Sequence, residues 1–344
     1  MKINAAKSAV VIGATGYVGS AITKGLVEHG QVKLIKCASR DVQKASWLKD
    51  LGDTSSCDIE VVPLQLNEGE KTIQELKKIM TGTDMVFFCA GYEEQSQSTI
   101  DFMVSNALAV IEAAKQTEEC SVVVLTSSGG STNPPGLENS TPKSEVLHFS
   151  DPDEQIRRGR YSPAAKTLME IKAFEAVGRN HKNEITNTDL AEKESTPRLV
   201  VINPNLILGP QLDPSPTIKG NSLPWMVKIL KKERMAEYIP NDSMSIIDVG
   251  DLAKLHIAAA FSDDASGRYF GVNQSYPWKE ILQEFHSILP DSYQPPPLNP
   301  NEDYENKIPT QFDHTRKNSL GVTLRPLHDT LEDLVEFFKS KNAL

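Results

Sequence analysis

The chain has 344 residues, of which 39% are hydrophobic and 24% are charged, and its formal net charge is −10. This length can bury a large core and can support two domains. The acidic balance argues against nucleic acid or an anionic membrane as a partner, and no apolar run approaches the length of a membrane span.

The cysteines and the first residues predict the compartment. Cys37, Cys57, Cys89 and Cys120 lie far apart and form no C-x-x-C pair, so neither a zinc site nor a disulfide framework is expected. The chain reaches its first predicted strand too soon to hold a signal peptide. We therefore expect a reducing, cytoplasmic location and no bound metal.

A glycine turn joins the first predicted strand to the first predicted helix. The apolar run 9–12 is short enough for a buried strand, and a helical pattern extends to residue 30. Glycines at three-residue spacing between them allow a tight turn, close approach of backbone N–H groups to a pyrophosphate, and close helix–strand packing. The turn predicts a dinucleotide site formed by Gly13, Thr15, Gly16, Tyr17, Val18 and Gly19.

The end of the second predicted strand indicates which cofactor is bound. An acidic residue at this place would accept a hydrogen bond from a ribose 2′-hydroxyl and favour NAD. The sequence has Arg40 there, with Lys44 four residues on, and a guanidinium group suits the 2′-phosphate of NADP(H). A solvated arginine just beyond a strand is the alternative interpretation.

Strands and helices continue to alternate along the chain, which predicts an α/β fold with a Rossmann-type doubly wound parallel sheet. One strand ends at Ala90 and Gly91, where small residues let a cofactor come close. The next ends at Ser127 and Ser128, whose hydroxyls lie at the ligand-binding edge and either donate to a substrate carbonyl or cap the strand. The polar stretch 133–159 predicts a loop at the rim of that edge.

Several motifs together resemble the extended short-chain dehydrogenases/reductases of the NAD-dependent epimerase/dehydratase superfamily. They are the glycine spacing G-x-x-G-x-x-G, the strand end TSSGG, and the later runs INPNLILGP, SIIDVGDLAKLHIAAAF and GRYF. The later runs are most similar to the dihydroflavonol reductase and cinnamoyl-CoA reductase group. The resemblance covers nearly the whole chain apart from loop insertions.

The resemblance implies two domains. The NADP-binding Rossmann domain would comprise residues 1–203, with 245–262 returning to it, and a smaller C-terminal substrate-binding domain would comprise 204–244 and 263–344. Within the returning segment, Asp248, Asp251 and His256 are expected to be structural, as helix-capping and helix-face residues. The tail is expected to hold a short strand at 320–322 and a final amphipathic helix.

The resemblance also assigns roles to residues of the site. Ser128 matches the family's active-site serine, with Ser127 as the second choice. Lys166 matches the family lysine, which binds the nicotinamide ribose and lowers the pKa of a catalytic tyrosine. Pro204 belongs to a loop that lies against the nicotinamide in the family.

The expected catalytic tyrosine is displaced by one residue. The family pair is Tyr-x-x-x-Lys, but Ser162 stands four residues before Lys166 and Tyr161 stands five before it. On a continuous helix Tyr161 would lie about 140° from the face of the lysine. If Pro163 is the first helical residue and Ser162 its N-cap, Tyr161 precedes the helix. Three interpretations stay open: Tyr161 donates the proton, Ser162 replaces it, or the site binds the cofactor without reducing anything.

The resemblance implies an NADPH-dependent reductase of a small-molecule aldehyde or ketone, with Ser128, Tyr161 and Lys166 as the catalytic residues. Two alternatives remain. One is an NADP(H)-binding sensor or scaffold, and the other is a sugar-nucleotide epimerase or dehydratase. The dehydratase has an acidic pair where this chain has Gly129 and Gly130. Many such proteins pair through helices beside the sheet, so a homodimer and a monomer both stay open.

Overall fold

The strands of the chain form two sheets. A computed structural model describes residues 7–52, 55–92 and 94–344, and none of the helices in these ranges is both long enough and apolar enough to cross a membrane. The strands, in chain order, are β1 (Lys7–Ile12), β2 (Val32–Ser39), β3 (Asp58–Pro63), β4 (Met85–Phe88), β5 (Val122–Thr126), β6 (Arg198–Pro204), β7 (Leu206–Leu208), β8 (Ser243–Asp248), β9 (Gly267–Gly271) and β10 (Gln274–Pro277).

Most of the helices connect these strands. They are α1 (Tyr17–His29), α2 (Glu70–Met80), α3 (Gln97–Lys115), α4 (Pro152–Arg157), α5 (Tyr161–Ala176), α6 (Thr188–Ala191), α7 (Ser222–Leu230), α8 (Val249–Phe261), α9 (Trp278–Ile288), α10 (Thr315–Ser319) and α11 (Leu327–Ser340). Two 3₁₀ turns add to them, at Ser46–Gly52 and at Gly129–Thr132. Residues 320–322 form no strand, so the strand expected in the tail is wrong.

The large sheet has seven parallel strands in the order β3-β2-β1-β4-β5-β6-β9. From β1 the chain adds β2 and β3 on one side of the sheet, and from β4 it adds β5 and β6 on the other side. A crevice therefore opens between β1 and β4 at their carboxyl ends. This arrangement confirms the predicted Rossmann-type doubly wound fold.

Successive residues of the sheet feed two cores. On one face, side chains such as Val11 and Val124 pack with α1 and α8. On the other face, Val10 and Val123 pack with α2, α3 and α5. Because side chains alternate across a strand, these near-continuous apolar runs cover both faces of a buried parallel sheet.

The second unit is a three-stranded sheet, β10-β8-β7, with its own core. Its apolar residues pack with those of α7, α9 and α11. The pairing of the strands cuts across the ranges expected above, and the bounds of the two domains stay a prediction. β8 pairs within this small sheet, but its Ile247 packs with α8 in the core on one face of the large sheet. Residues 267–271 form the seventh strand of the large sheet.

The β8–α8 junction is formed by a helix cap. Asp248 ends β8 and caps α8, because its carboxylate accepts hydrogen bonds from the N–H groups of Gly250 at 2.7 Å and Asp251 at 3.2 Å. The cap begins a new helix immediately after the strand, so the two adjacent elements lie in different layers. The expectation that Asp248 is a helix cap is confirmed.

Candidate active site

The glycine turn between β1 and α1 leaves no space for side chains. Gly13 has φ +85°, and a Cβ there would lie 2.7 Å from the backbone nitrogen of Ala90 at the end of β4. A Cβ on Gly19 would lie 2.2 Å from the carbonyl oxygen of Gly13. Real Cβ atoms do not approach backbone this closely, so both positions need glycine. The turn is a backbone cradle at the crevice of the large sheet, which fits a dinucleotide.

The first turn of α1 presents backbone donors at this cradle. Gly16 is the N-cap and provides no side-chain cap. The first helical hydrogen bond runs from the N–H of Ser20 to the carbonyl of Gly16 at 2.9 Å. The N–H groups of residues 17–19 precede that bond and can bind an anion, with the helix dipole favouring negative charge.

Tyr17 joins the turn to the small sheet. Its side chain points away from the cradle, and its hydroxyl donates to the carbonyl oxygen of Gly209 at 2.8 Å. Burial, followed by the nearby carboxylate of Asp248, raises the pKa of Tyr17 well above its usual value, so the hydroxyl stays protonated. Of the predicted cofactor residues, Tyr17 therefore offers its backbone to a ligand and uses its side chain to hold two domains together.

The predicted 2′-phosphate residues lie just beyond β2. Arg40 is exposed, and Lys44 lies 3.5 Å from a carboxylate oxygen of Asp41. The backbone N–H of Lys44 also donates to Asp41, which lowers the pKa of that carboxyl and keeps it ionised. The sequence interpretation missed Asp41, whose negative charge competes with a phosphate for Lys44.

Lys166 reaches the carboxyl end of β5 from α5. Its ammonium donates to the carbonyl oxygen of Thr126 at 2.7 Å. Burial lowers the pKa of Lys166 to about 8, although Cys89 and Glu170 act in the opposite direction. A half-buried cation with a pKa this close to neutrality can stabilise a negative charge and can also pass on a proton.

The two candidate serines face different ways. Ser127 is buried, and its hydroxyl donates to the carboxylate of Glu170. Ser128 is half-buried, and its Oγ accepts from the N–H of Gly130 at 3.1 Å. An oxygen that only accepts inside the protein keeps its own proton for a ligand. The geometry therefore favours Ser128 over Ser127 as the donor to a substrate oxygen.

α5 begins earlier than the sequence suggested. Its first residue is Tyr161 and its N-cap is Arg160, whose carbonyl accepts from the N–H of Ala164 at 3.1 Å. The expectation that Pro163 starts the helix is wrong. Proline fits the first turn as a whole, because the N–H groups of that turn have no helical partner.

The early start fixes the direction of Tyr161. The half-buried ring packs on the apolar cluster of α3 and α5, which also contacts Ile156 and Leu168. Within the described ranges the Tyr161 hydroxyl makes no hydrogen bond. Ser162 lies four residues before Lys166, about 40° from it around the helix, whereas Tyr161 lies about 140° away. The structure brings Ser162 and Lys166 to one face and does not bring Tyr161 there.

The remaining predicted residues surround the same sheet edge. Ala90 follows β4 and contacts the glycine turn, with Gly91 exposed beside it. Pro204 ends β6 next to the end of β5. Together with Ser128 and Lys166 they line the carboxyl ends of three neighbouring strands, β4, β5 and β6. This edge is where ligands bind in open parallel sheets.

His256 of α8 forms a hydrogen bond with Thr126 at the end of β5. It is fully buried, and its Nδ1–H donates to the carbonyl of Leu252 at 2.8 Å. The other nitrogen, Nε2, must then accept from the hydroxyl of Thr126, 2.9 Å away. Burial lowers the pKa of His256 to about 4, so the ring is neutral. These contacts fit the structural role expected of His256.

Comparisons with known proteins agree on one family. The model of the NAD dependent epimerase/dehydratase family matches residues 9–270. The chain is 28% identical to "Cinnamoyl-CoA reductase 1" of Arabidopsis thaliana, covering 99% of this chain and 91% of the relative. It is 26% identical to "Tetraketide alpha-pyrone reductase 2" of the same plant, covering 97% of this chain and 99% of the relative.

Two solved structures share the fold. Vestitone reductase from alfalfa superposes with a TM-score of 0.77 at 19% identity, covering 98% of this chain and 99% of that one. Yeast methylglyoxal/isovaleraldehyde reductase Gre2, complexed with NADPH, gives a TM-score of 0.76 at 19% identity, covering 98% of this chain and 100% of that one. At this identity the likeness shows the fold alone.

Proposed function

The chain belongs to the NAD dependent epimerase/dehydratase family, and from that premise we propose that it is an NADPH-dependent reductase of a small-molecule aldehyde or ketone. The observation that carries the proposal is the geometry around the end of β5. The Lys166 ammonium and the free donor of Ser128 lie at the same sheet edge as the glycine cradle. The names of the curated relatives support a carbonyl substrate with an apolar body. We place the binding site of this substrate between the two sheets.

In the proposed mechanism, Gly13, Gly16 and Gly19 would hold the pyrophosphate of NADPH, and the bound cofactor would supply the hydride that the carbonyl carbon receives. The hydroxyl of Ser128 donates to the carbonyl oxygen and polarises it. Lys166 stabilises the negative charge that develops on that oxygen and orients the cofactor ribose.

The proton donor is the open step of this mechanism. Tyr161 as donor stays a prediction, and its place on α5, about 140° around the helix from Lys166, favours Ser162 instead. We expect Tyr161→Phe to keep most turnover and Ser162→Ala to lower kcat, because only Ser162 shares the face of Lys166. NADPH consumption with a panel of aldehydes and ketones measures both variants. The reverse result, a large loss in Tyr161→Phe alone, would assign the proton to Tyr161.

A second candidate function is an NADP(H)-binding sensor or scaffold. The specific observation in its favour is again the place of Tyr161 on α5, about 140° around the helix from Lys166. This candidate predicts that NADPH raises the melting temperature but that no carbonyl compound is reduced. Turnover with any aldehyde or ketone of the panel would exclude it.

The pH profile should depend on Lys166. Burial lowers the pKa of Lys166 to about 8, so the ammonium form predominates below pH 8 and is lost as the pH rises above it. We expect kcat/KM to be level from pH 6 to about 7 and to fall roughly tenfold per pH unit well above pH 8. Steady-state assays across pH 6–10 measure this limb. A profile that stays level to pH 10 would contradict a role for the Lys166 charge.

NADP preference is proposed from Arg40 and Lys44. We expect Arg40→Ala to weaken NADPH binding by about tenfold to a hundredfold, because a charged hydrogen bond to phosphate contributes roughly 1.5–3 kcal/mol. NADH affinity should stay nearly unchanged, since NADH lacks the 2′-phosphate. Asp41→Asn is the opposite control and should strengthen NADPH binding, because it removes the carboxylate beside Lys44. Equal losses for the two cofactors would refute the assignment.

Compartment and assembly are further parts of the proposal. The four cysteines are unpaired, and three of them are buried, which suits a reducing compartment such as the cytoplasm. A homodimer through helices beside the large sheet stays a prediction, and sedimentation equilibrium would measure it.

A further inference from the structure

A buried ion pair lies next to the proposed site, in contact with Ser127 at the end of β5. Glu170 of α5 and Arg268 of β9 have side chains that are only 3% and 2% exposed, and Nε of the arginine lies 2.9 Å from Oε2 of the glutamate. The sequence interpretation missed both residues, because elements far apart in the chain bring them together. Charges this deeply buried need partners for every group, so their other contacts identify what the pair holds.

Glu170 joins the ends of two strands of the large sheet. Its Oε1 accepts from the hydroxyl of Ser127 after β5 and from the side-chain amide of Asn203 in β6, the latter at 2.7 Å. The same amide nitrogen of Asn203 donates to the carbonyl oxygen of Ser128 at 3.0 Å. The carboxylate therefore fixes, through one intermediate, the backbone that presents the Ser128 hydroxyl.

Arg268 holds the polar segment that follows this backbone. We call residues 133–150 the rim loop. Nη1 of the arginine donates to the carbonyls of Glu145 and His148, at 3.2 and 3.1 Å, and Nη2 donates to the carbonyl of Ser131 at 2.9 Å. Its guanidinium also stacks on the ring of Phe149, 4.4 Å from the centroid. One side chain thus anchors the rim loop to the large sheet.

Glu170 also acts on Lys166 through its charge. The two residues are one helical turn apart, on one face of α5. The carboxylate favours the ammonium form and raises the pKa of Lys166 against the dominant effect of burial. The pair thus contacts the rim loop directly, fixes the backbone of Ser128 through Asn203 and acts on Lys166 through its charge.

We infer that Glu170 and Arg268 are positioning residues that hold Ser128 and Lys166 in register and anchor the rim loop beside them. This inference rests on the proposed reductase function. Neither residue touches the reacting atoms. The two halves of the pair have separable effects, because Glu170 faces the strand ends and Lys166 while Arg268 faces the rim loop.

Glu170→Gln tests the first half. The substitution keeps the size of the side chain and removes the charge, so the alkaline limb of kcat/KM should move to lower pH by about half a unit or more, and kcat should fall about tenfold. Glu175→Gln is the matched control on the same helix, because Glu175 pairs with Lys172 at the surface, 2.7 Å away. If the alkaline limb of kcat/KM in Glu170→Gln coincides with the limbs of wild type and Glu175→Gln, the inference is overturned.

Arg268→Lys tests the second half. Lysine keeps the positive charge beside Glu170 but lacks the forked donors that reach three carbonyls. We expect KM for the carbonyl substrate to rise severalfold while the alkaline limb stays in place. An unchanged KM and kcat would overturn the proposed anchoring of the rim loop.

Two further measurements keep the test decisive. If Glu170→Gln does not fold, Glu170→Asp is the second variant, because it retains the charge but withdraws the carboxylate from its partners. It should keep the alkaline limb of kcat/KM in place and lower kcat. An unchanged kcat would overturn the inference. NADPH titration from pH 6 to 10 follows Lys166 without turnover. A wild type that binds NADPH and reduces nothing would refute the proposed function, and the pH dependence of its affinity in Glu170→Gln would still decide the positioning role.

Discussion

Replacing Lys166 with methionine is expected to lower kcat/KM by about 10²–10⁴-fold, the range typical of a group that moves or stabilises a proton in the transition state. Methionine has a similar length and fills the same half-buried space. It removes the donor to the Thr126 carbonyl and the only side-chain cation contacting the end of β5 within the described part of the chain. Steady-state NADPH consumption measures the loss, and NADPH titration measures the part due to cofactor binding.

Lys172→Met is the matched control for this prediction. Lys172 lies on the same helix, about half exposed, and pairs with Glu175. Surface pairs of this kind contribute less than about 1 kcal/mol, so we expect its activity and melting temperature to match wild type. If Lys166→Met keeps more than a tenth of wild-type kcat/KM while Lys172→Met is unchanged, Lys166 has no catalytic role and the proposed mechanism is wrong.

Local sequence patterns predicted the parts of the site that depend on local geometry. The glycine turn followed from three glycines between an apolar run and a helical pattern, and the structure has Gly13 at φ +85° in that turn. The residues that determine this turn are close in sequence, so periodicity and spacing were sufficient. Lys166 came instead from the resemblance of its segment to the family's lysine segment, and the structure places it on α5 with its ammonium at the carbonyl of Thr126.

Local patterns could not predict which strands pair, because the partners lie far apart in the chain. β8 pairs with β7 and β10 whereas β9 pairs with β6, and the residues of either strand alone do not identify its partner. The direction of Tyr161 depended on where α5 starts, and Pro163 is compatible with several starts. Glu170 carried a usable signal, since it follows Lys166 by four residues on the same helix face. Arg268 carried none, because its partners come from α5, from the 3₁₀ turn Gly129–Thr132 and from the rim loop.

Gly19→Ala is expected to remove most NADPH affinity and to lower stability by about 1–3 kcal/mol, the usual effect of overpacking a close-packed site. The added methyl would lie 2.2 Å from the carbonyl oxygen of Gly13 and 2.8 Å from its carbonyl carbon. Both are backbone atoms of the cradle, so the only relief is to move α1 away from β1. That movement withdraws the helix N-terminus from the pyrophosphate and should weaken NADPH binding about tenfold to a hundredfold.

Gly25→Ala separates this steric effect from the effect of alanine in a helix. Gly25 lies in the same helix, and a Cβ there would first meet the terminal methyl of Ile257 at 2.8 Å, the end of a flexible side chain. Alanine also favours helix over glycine by up to about 1 kcal/mol. We therefore expect Gly25→Ala to bind NADPH like wild type and to melt at a similar temperature. Equal NADPH affinity in the two variants would show that the close approach of Gly19 to Gly13 does not shape the cofactor site, and the cradle would lose its role in the proposed function.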